Sequence, residues 1–402
     1  MSKPVPTSTK PGALAGLKIL DLSRLLPGPF ATLLLADLGA EVLKVEDPIK
    51  GDYTRMTPPF VGSESARFMS LNRSKRSMTL NLKKPAARQV LLDLVKHYDV
   101  LIEQFRPGVM DRLGVGYETL KQVNPRLIYC ALTGYGQDGP WRDRAGHDLN
   151  YLSLAGVTGI SGWAATPPPV YGVQVADIAG GGLMAVAGIL AAVVSRQRTG
   201  EGQLVDVSML DGSLALLAMT AGDYLASGEV PTREGGTLNG QAVCYRVYET
   251  KDGKAVSLGA LEPQFWTAFC NAVKRPDLLP EAFASGADRE RVLGEMIALF
   301  KTRTRDEWVL FLKDVDCCFE PVLDLAEAFA HPQAVARDMV WTLEYPEVGT
   351  VKQPGCPIKL SGTPAAVQSM PPKWGEHTRD VLEEIGYGPD DIAALESQGA
   401  FS

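Results

Sequence analysis

The stretch GLKILDLSRLLPGPFATLLLADLGAEVLKVEDP, residues 16–48, contains the pattern on which the fold prediction rests. Residues 17–23 and 41–46 are short apolar segments typical of strands, and residues 29–40 between them have the length and composition of a helix. A strand, a helix and a second strand in this order usually form a parallel pair with a helical crossover. We therefore predict that the chain begins with a β-α-β unit.

The same alternation continues along the chain and predicts a Rossmann-like α/β large domain. The motif G-x-G-x-x-G does not follow the first strand, and G-x-x-x-x-G-K-[ST] does not occur. The fold alone therefore predicts neither NAD nor ATP binding. Further strand patterns lie at 76–82, 99–105, 127–136 and 203–210, and helix patterns lie at 85–98, 177–198 and 211–227.

The composition changes after residue 227. Residues 228–242 are rich in glycine and polar residues and predict a linker, and an Asp-Gly pair ending at Gly253 separates two strand patterns, as in a hairpin. We predict a smaller α+β domain over 228–329, inserted into a large domain made of 1–227 and 330–402. The smaller domain contains helix patterns at 263–274, 288–302 and 305–315.

The overall composition favours a soluble enzyme. Of the 402 residues, 45 % are hydrophobic and 22 % are charged, as in most globular chains. Lysine plus arginine (40) minus aspartate plus glutamate (47) gives a net charge of −7, which disfavours nucleic acid and anionic membranes as partners. Six scattered cysteines lack the spacing of a zinc site, which predicts reduced thiols, no metal site and a cytoplasmic location.

Two stretches bear on targeting. Residues 1–12 lack the apolar core of a secretory signal. The longest apolar run, 183–194, is shorter than the roughly 20 residues that span a bilayer. We therefore predict a buried helix at this run and no membrane association.

Two candidate catalytic residues lie where a loop meets a helix. His147, between Gly146 and Asp148, carries an imidazole that can transfer a proton near neutral pH. Its ordinary alternative is a loop histidine followed by Asp148 as a helix N-cap. Asp177 precedes three glycines and an apolar helix, where small residues let a ligand approach and the helix N-terminus favours an anion. Asp177 also suits an N-cap, so that alternative stays open.

A third acidic residue and a basic group complete the candidates. Glu262 directly precedes Pro263, a common first residue of a helix, and as an isolated glutamate it carries little information. Basic residues near predicted strand ends can hold phosphates, because ligands of α/β sheets bind outside the carboxyl ends of the strands. A solvated charged surface is the alternative. These residues are Arg24, Lys44, Arg73, Lys75, Arg76 and Arg106.

Nearly the whole chain resembles the class III coenzyme A transferase family (the CaiB/BaiF type), which includes formyl-CoA and carnitine CoA-transferases and α-methylacyl-CoA racemases. The order of the similar segments is more specific than any one motif. Besides residues 16–48, they are LNRSKRSMTLNLK (71–83), EQFRPGVMDRLG (103–114), NPRLIYCALTGYGQDGP (124–140), ADIAGGGLMAVAGILAAVVSRQRTGEGQLVDVSMLDG (176–212) and GEHTRDVLEEIGY (375–387).

The resemblance is strongest to the racemase branch. GHDLNY at 146–151 is similar to a racemase segment whose histidine transfers a proton, and ALEPQF at 260–265 is similar to the stretch whose glutamate supports that histidine. The likeness implies racemisation or epimerisation at the α-carbon of a 2-methylacyl-CoA thioester. His147 and Asp177 would act as the two bases, and Glu262 would support His147.

The resemblance also implies further residues and partners. Asp148, Tyr151, Gly180 and Gly181 would line the substrate site, and the basic group named above would hold coenzyme A, with Arg106 in FRPG as its first candidate. Coenzyme A would be part of the substrate and not a prosthetic group. The family further implies an interlocked homodimer in which the small domain of one subunit completes the site of the other.

Two alternatives remain open at this stage. The protein could be a CoA-transferase that moves CoA between carboxylic acids through an acyl-enzyme on Asp177. The stretch 50–71 is longer than the corresponding stretch of compact racemases and looks more like the transferase pattern. The protein could also bind a CoA thioester without catalysis. The acyl group cannot be read from the residues.

Overall fold

The computed structural model describes residues 11–345 and 348–402. The chain divides into two compact units. The first unit comprises Met1–Ala155, Tyr171–Leu216 and Pro332–Ser402, and the second comprises Gly156–Val170 and Leu217–His331. The smaller unit is therefore inserted into the larger one, as the sequence predicts, although the boundaries differ.

Thirteen strands occur in the described part of the chain. They are β1 (Lys18–Asp21), β2 (Glu41–Glu46), β3 (Phe60–Val61), β4 (Glu64–Ser65), β5 (Lys75–Thr79), β6 (Val100–Glu103), β7 (Ile128–Thr133), β8 (Leu204–Ser208), β9 (Tyr245–Glu249), β10 (Ala255–Gly259), β11 (Phe319–Pro321), β12 (Val340–Tyr345) and β13 (Gly349–Pro354).

The α-helices of the described part are α1 (Pro27–Asp37), α2 (Ala66–Asn72), α3 (Pro85–Val95), α4 (Val109–Arg112), α5 (Tyr117–Val123), α6 (Asp148–Leu154), α7 (Val157–Ile160), α8 (Met184–Thr199), α9 (Met209–Ala215), α10 (Ala218–Ser227), α11 (Pro263–Ala272), α12 (Gly286–Phe300), α13 (Arg305–Leu312), α14 (Leu325–Ala330), α15 (Pro332–Ala336), α16 (Thr378–Glu384) and α17 (Pro389–Ser397). Short 3-10 turns lie at Tyr53–Met56, Thr237–Asn239 and Pro276–Glu281, and a π-helical segment, Ala176–Leu183, precedes α8.

The first unit is built on a six-stranded sheet with the order β5-β2-β1-β6-β7-β8. All neighbouring strands in it are parallel, and Leu20 of β1 pairs with Leu43 on one side and Leu101 on the other. Every residue of β6 and β7 is buried, as expected where helices cover both faces of a parallel sheet. The predicted Rossmann-like α/β domain is therefore confirmed.

The second unit contains a three-stranded antiparallel sheet, β11-β10-β9. The predicted turn joins β9 to β10, and Gly253 has the left-handed φ of 74° that this turn needs. The core of this unit is aromatic: Phe300 packs against Phe269 and Trp308 with ring centroids 5.8 and 5.1 Å apart. This architecture agrees with the predicted α+β domain.

The boundaries of the second unit differ from the predicted 228–329. Residues 156–170 and helix α10 belong to it. The ring of Trp163 lies 4.2 Å from the Arg246 guanidinium, and the Ala164 N–H donates to Glu234 over 2.8 Å. These contacts join residues 83 and 70 positions apart in the chain, so no local sequence pattern could predict them.

The segment predicted as a buried helix forms a continuous helical run, Ala176–Thr199. The run is 24 residues long and its apolar stretch has a mean hydropathy of 2.1, so by length and composition it could cross a membrane. Core helices of soluble proteins meet the same criterion. Only 39 % of its apolar stretch is buried within the chain, so the helix is more exposed than predicted. The expectation of no membrane association stays a prediction.

Close packing of glycines holds this helical run in place. A Cβ at Gly180 would lie 2.9 Å from the Met209 carbonyl oxygen, and a Cβ at Gly182 would lie 3.0 Å from the Pro27 carbonyl oxygen. On the facing helix α9, a Cβ at Gly212 would lie only 2.0 Å from the Gly180 carbonyl oxygen. The three-glycine run therefore lets α1 and α9 approach the backbone that carries Asp177.

We expect Gly212→Ala to lower the free energy of unfolding by about 1–3 kcal/mol, because the added methyl group meets backbone that cannot rotate away. Gly294→Ala is the matched control, since its Cβ would meet nothing within 4 Å in helix α12. The control should be neutral or stabilising by up to about 1 kcal/mol. Urea unfolding of both variants measures this, and equal effects would contradict the packing argument.

Candidate active site

A cavity of about 600 Å³ lies in the first unit at the carboxyl ends of β1, β6 and β7. The strand order reverses between β1 and β6, and ligands of open α/β sheets bind at such a switch point. The residues of the cavity wall used below are Arg24, Leu25, Tyr53, Arg106, Arg142, Arg144, His147, Tyr151 and Asp177. The structure therefore brings both predicted bases to one cavity.

Asp177 lies in the π-helical segment at the start of the long helical run. It is 8 % exposed, and its N–H donates to Asp148 Oδ1 over 3.0 Å. In the described part of the chain, no hydrogen bond or ion pair reaches its carboxylate. Burial, and then the charge of Asp148, raises the pKa of Asp177 to about 7. This carboxyl group can therefore both release and accept a proton near neutral pH.

His147 occupies the N-cap position of α6, where the sequence placed Asp148 as the alternative. Its N–H donates to Asn150 Oδ1 over 3.0 Å, which fixes the start of the helix. Asp148 is instead the first residue of α6 and accepts the Asp177 N–H. Among the described residues, none hydrogen-bonds the imidazole of His147, so both ring nitrogens are available to a ligand in the cavity.

Tyr151 also lines the cavity and is 5 % exposed. Its hydroxyl donates to the Gly146 carbonyl oxygen over 2.6 Å, and its ring meets that of Tyr135 edge to face with centroids 5.2 Å apart. A Cβ at Gly134 or Gly146 would lie 2.6 Å from this side chain. Tyr151 therefore fixes the loop that carries His147.

Two predicted substrate residues pack against a neighbouring helix. Gly180 and Gly181 are buried against α9 and are not part of the cavity wall. A Cβ at Gly181 would lie 2.8 Å from Met209 Cγ. Their small size serves helix packing, and their contact with substrate stays a prediction.

Glu262 belongs to the second unit and is described with that unit alone. It precedes α11 in an N-cap position, and its side chain makes no capping hydrogen bond. Partial desolvation, and then the charge of Glu262, raises the pKa of the Cys318 thiol. Its support of His147 stays a prediction.

The six predicted basic residues divide into two groups. Arg24 and Arg106 line the cavity. Lys44, Arg73 and Lys75 are each at most 2 % exposed and pair with Asp52, Asp37 and Asp21 over 3.0, 2.7 and 3.2 Å. Arg76 pairs with Glu384 on the surface over 2.7 Å.

The three buried residues, Lys44, Arg73 and Lys75, correct the prediction of six phosphate ligands, and Arg76 lies outside the cavity wall. A buried cation that neutralises a carboxylate of the fold is already committed to that partner and closed off from solvent, and removing it from its partner leaves an unpaired buried charge. A position near a strand end therefore does not by itself distinguish a phosphate ligand from a residue of an internal ion pair.

Sequence reasoning missed two arginines of the cavity wall, Arg142 and Arg144. The Arg144 guanidinium lies 4.1 Å from the ring of Trp141, and Arg142 has a 3.8 Å pair with exposed Asp143. Both lie in the loop GPWRDRAGH, next to His147. Two closely spaced basic residues next to a candidate catalytic residue are the sequence signal that could have identified them.

Other site chemistry is limited in the described residues. Residues 11–345 and 348–402 contain no group of three or more histidine, cysteine, aspartate or glutamate side chains that could hold a metal ion. All six cysteines are free thiols, and only Cys318 is exposed. The cavity therefore offers an imidazole, an unpaired carboxyl group and several guanidinium groups.

Comparison with known proteins assigns the family. The family model described as CoA-transferase family III matches residues 14–378. The chain belongs to this family. A CAIB/BAIF family protein from Brucella suis has the same fold, with a TM-score of 0.82 and 34 % identity over 94 % of this chain and 100 % of that one. The resemblance stated from the sequence is therefore confirmed.

Relatives within CoA-transferase family III include both kinds of enzyme. Human succinyl-CoA:glutarate CoA-transferase is 36 % identical over 96 % of this chain and 89 % of its own length. Human alpha-methylacyl-CoA racemase is 37 % identical over 96 % of each chain. The protein is therefore an enzyme of a family that contains transferases and racemases.

We expect Asp177→Asn to stabilise the protein more at pH 8 than at pH 4. The folded-state pKa of about 7 lies above the ordinary 3.8, so the folded chain retains a proton that the unfolded chain releases. Ionising buried Asp177 therefore costs stability that grows as the pH rises from 4 to 7, on the order of 2–4 kcal/mol. Asparagine avoids this cost.

Urea unfolding of both proteins at the two pH values measures the difference. Asp138→Asn, in an exposed part of the loop after β7, is the control and should change stability equally at both pH values. A pH-independent effect of Asp177→Asn would contradict the raised pKa.

Proposed function

We propose that the protein racemises or epimerises the α-carbon of a 2-methylacyl-CoA thioester by proton transfer between two bases, His147 and Asp177. The observation that carries this proposal is their arrangement. An imidazole without a hydrogen-bond partner among the described residues and a carboxyl group with a pKa of about 7 line one cavity. An imidazole can act as a general acid or base, and the raised pKa lets Asp177 release or accept a proton near neutral pH, as proton transfer in two directions requires.

The reaction follows from this arrangement. One base removes the α-proton, the thioester enolate forms, and the conjugate acid of the other base returns a proton to the opposite face. The negative charge of the enolate is favoured near the N-terminus of the helical run that carries Asp177, because helix N-termini carry partial positive charge. The roles of the two bases exchange in the reverse direction.

The arginines of the wall support a CoA thioester as the substrate class. Arg24, Arg106, Arg142 and Arg144 place four guanidinium groups around the cavity, and guanidinium groups bind phosphate oxygens well. The only ion pair of these four in the described part of the chain is the exposed one between Arg142 and Asp143. The cavity is therefore locally cationic although the chain carries −7 overall.

CoA transfer is the second candidate, and the relatives favour keeping it. Besides the human enzyme above, succinyl-CoA:mesaconate CoA-transferase of Haloarcula marismortui is 39 % identical over 93 % of this chain. In a transferase, the unpaired carboxylate of Asp177 would attack the thioester carbonyl, so that the C–S bond breaks, CoA leaves as the thiolate and an acyl-enzyme anhydride remains. Racemisation is preferred because transfer through Asp177 gives His147 no necessary role.

An assembly with a second copy remains part of the proposal. Helix α10 buries none of its ten residues, although Met219, Tyr224 and Leu225 are apolar or aromatic and exposed. In the first unit, the run Ala176–Thr199 is also partly exposed. Each of these apolar surfaces, taken by itself, supports the homodimer that the family likeness implies.

Incubation of a single epimer of a 2-methylacyl-CoA in D2O tests the reaction. We expect deuterium to enter the α-position with loss of optical purity. His147→Ala or Asp177→Asn should each reduce racemisation by about 10²–10⁴-fold, because each removes one acid/base group. The remaining base should still exchange the proton on its own face, so each variant should exchange one epimer faster than the other. Chiral analysis and mass spectrometry follow both signals.

The control for this experiment is His97→Ala. His97 lies before the amino end of β6, whereas the cavity lies at the carboxyl ends of the strands, so its substitution should leave exchange unchanged. If deuterium does not exchange and hydroxylamine traps an acyl-enzyme on Asp177, the result would favour CoA transfer. Binding of the thioester with neither reaction would indicate a non-catalytic binder.

Arg106→Ala should weaken binding of CoA by about 10–100-fold, because it removes charge-assisted hydrogen bonds to phosphate. Arg76→Ala is the matched control, since Arg76 already pairs with Glu384 outside the cavity. Calorimetric titration with CoA at low and high salt measures both variants, and the deficit should shrink at high salt. Equal affinities for the two variants would contradict the placement of the phosphates.

A further inference from the structure

The segment Ser23–Leu25 is held from inside the first unit by a buried ion pair. Lys44 Nζ lies 3.0 Å from Asp52 Oδ2, and both side chains are completely buried. Lys44 also donates to the Ser23 carbonyl oxygen over 2.8 Å. The carboxylate of Asp52 accepts the Leu25 N–H at 3.3 Å from each oxygen. The pair therefore contacts the backbone immediately before and immediately after Arg24.

The backbone between these contacts is strained. Leu25 has a φ of 68°, in the left-handed region that a branched apolar residue rarely adopts. Such a conformation persists only when surrounding contacts impose it. The contacts that impose it here are the hydrogen bonds from Leu25 to Asp52 and from Lys44 to Ser23.

The Lys44–Asp52 ion pair also fixes the neighbouring part of the cavity wall, which contains Tyr53. Asp52 caps the turn Tyr53–Met56 by accepting the Thr54 N–H over 3.0 Å and the Thr54 hydroxyl over 2.7 Å. Tyr53 is the first residue of that turn, and the Arg24 guanidinium carbon lies 5.8 Å from the centroid of its ring. Arg24, Leu25 and Tyr53 all line the cavity.

We propose that Asp52, held by Lys44, is a positioning residue that aims Arg24 at the phosphates of a CoA thioester. Asp52 does not line the cavity, so it acts through the backbone of Leu25 and through Tyr53. This inference rests on the proposed CoA-thioester substrate and is independent of whether the reaction is racemisation or transfer. It gives the buried Lys44, first predicted as a phosphate ligand, an indirect part in phosphate binding.

A second buried pair in the same unit provides a control. Arg73 and Asp37 form a two-point ion pair over 3.0 and 2.7 Å, and both are at most 2 % exposed. Neither residue lines the cavity. Breaking this pair costs stability for the same physical reason as breaking Lys44–Asp52, without contact to the segment that carries Arg24.

The test is a double-mutant cycle between Arg24→Ala and Asp52→Asn, with CoA itself as the titrated ligand. We expect each single variant to weaken CoA binding by about tenfold, since each removes one charge-assisted contact or its positioning. The double variant should bind no more weakly than Arg24→Ala alone, because Asp52 acts through Arg24. Asp37→Asn should lower the melting temperature as Asp52→Asn does and leave CoA affinity unchanged.

A milder variant keeps the inference testable if Asp52→Asn folds poorly. Thr54→Val keeps every buried charge and removes one hydroxyl donor to Asp52. It should weaken CoA binding by a few-fold, and only while Arg24 is present. In the α-proton exchange assay, both Asp52→Asn and Thr54→Val should raise KM and leave kcat near the wild-type value, as expected when binding energy shared equally by the ground state and the transition state is lost.

Additive effects of Arg24→Ala and Asp52→Asn on affinity, or wild-type affinity in Asp52→Asn, would overturn the inference. A loss in Asp37→Asn equal to that in Asp52→Asn would do the same, because it would assign the effect to general destabilisation. If the wild-type protein binds CoA but catalyses neither exchange nor transfer, the proposed function fails, while the affinity cycle still decides the role of Asp52. Absence of CoA binding by the wild-type protein would overturn both.

Discussion

A cluster of buried charges among β1, β2 and β5 supports one side of the cavity. It contains three carboxylates and three cations, so it is neutral as a whole: Asp21, Glu46, Asp52, Lys44, Arg55 and Lys75. Burial alone would raise the pKa of Asp21, but the charges of Lys75 and Lys44 lower it to about 2. Burial in turn lowers the pKa of Lys75 to about 8. Each charge is tolerable only because the others are present.

The loops of the cavity depend on this cluster. Lys75 donates to the Pro29 carbonyl oxygen in α1 over 3.1 Å, and Asp21 accepts the Thr32 hydroxyl of the same helix over 2.6 Å. Glu46 and Arg55 connect the end of β2 to the turn that carries Tyr53, with contacts of 2.9 and 2.7 Å. The positions of the loop residues therefore depend on charged side chains that do not line the cavity.

The sequence predicted the fold well because apolar periodicity is a local property. The parallel sheet, the hairpin at Gly253 and the shared location of His147 and Asp177 all followed from short patterns or from the family likeness. The roles of Lys44, Arg73 and Lys75 did not, since a basic residue near a strand end looks the same whether it faces a ligand or a distant carboxylate. Arg73 and Asp37, for example, are 36 residues apart. The membership of 156–170 in the second unit was hidden for the same reason.

The reversal of strand order between β1 and β6 gives the cavity two walls of separate origin. Arg24 and Tyr53 come from the chain before β5, whereas Arg106, His147 and Asp177 come from the chain after β6. A bound thioester would touch both groups and thereby link the two halves of the sheet. Ligand binding would then add to the cooperativity of unfolding of the whole unit, and its free energy would be distributed across the sheet rather than confined to one loop.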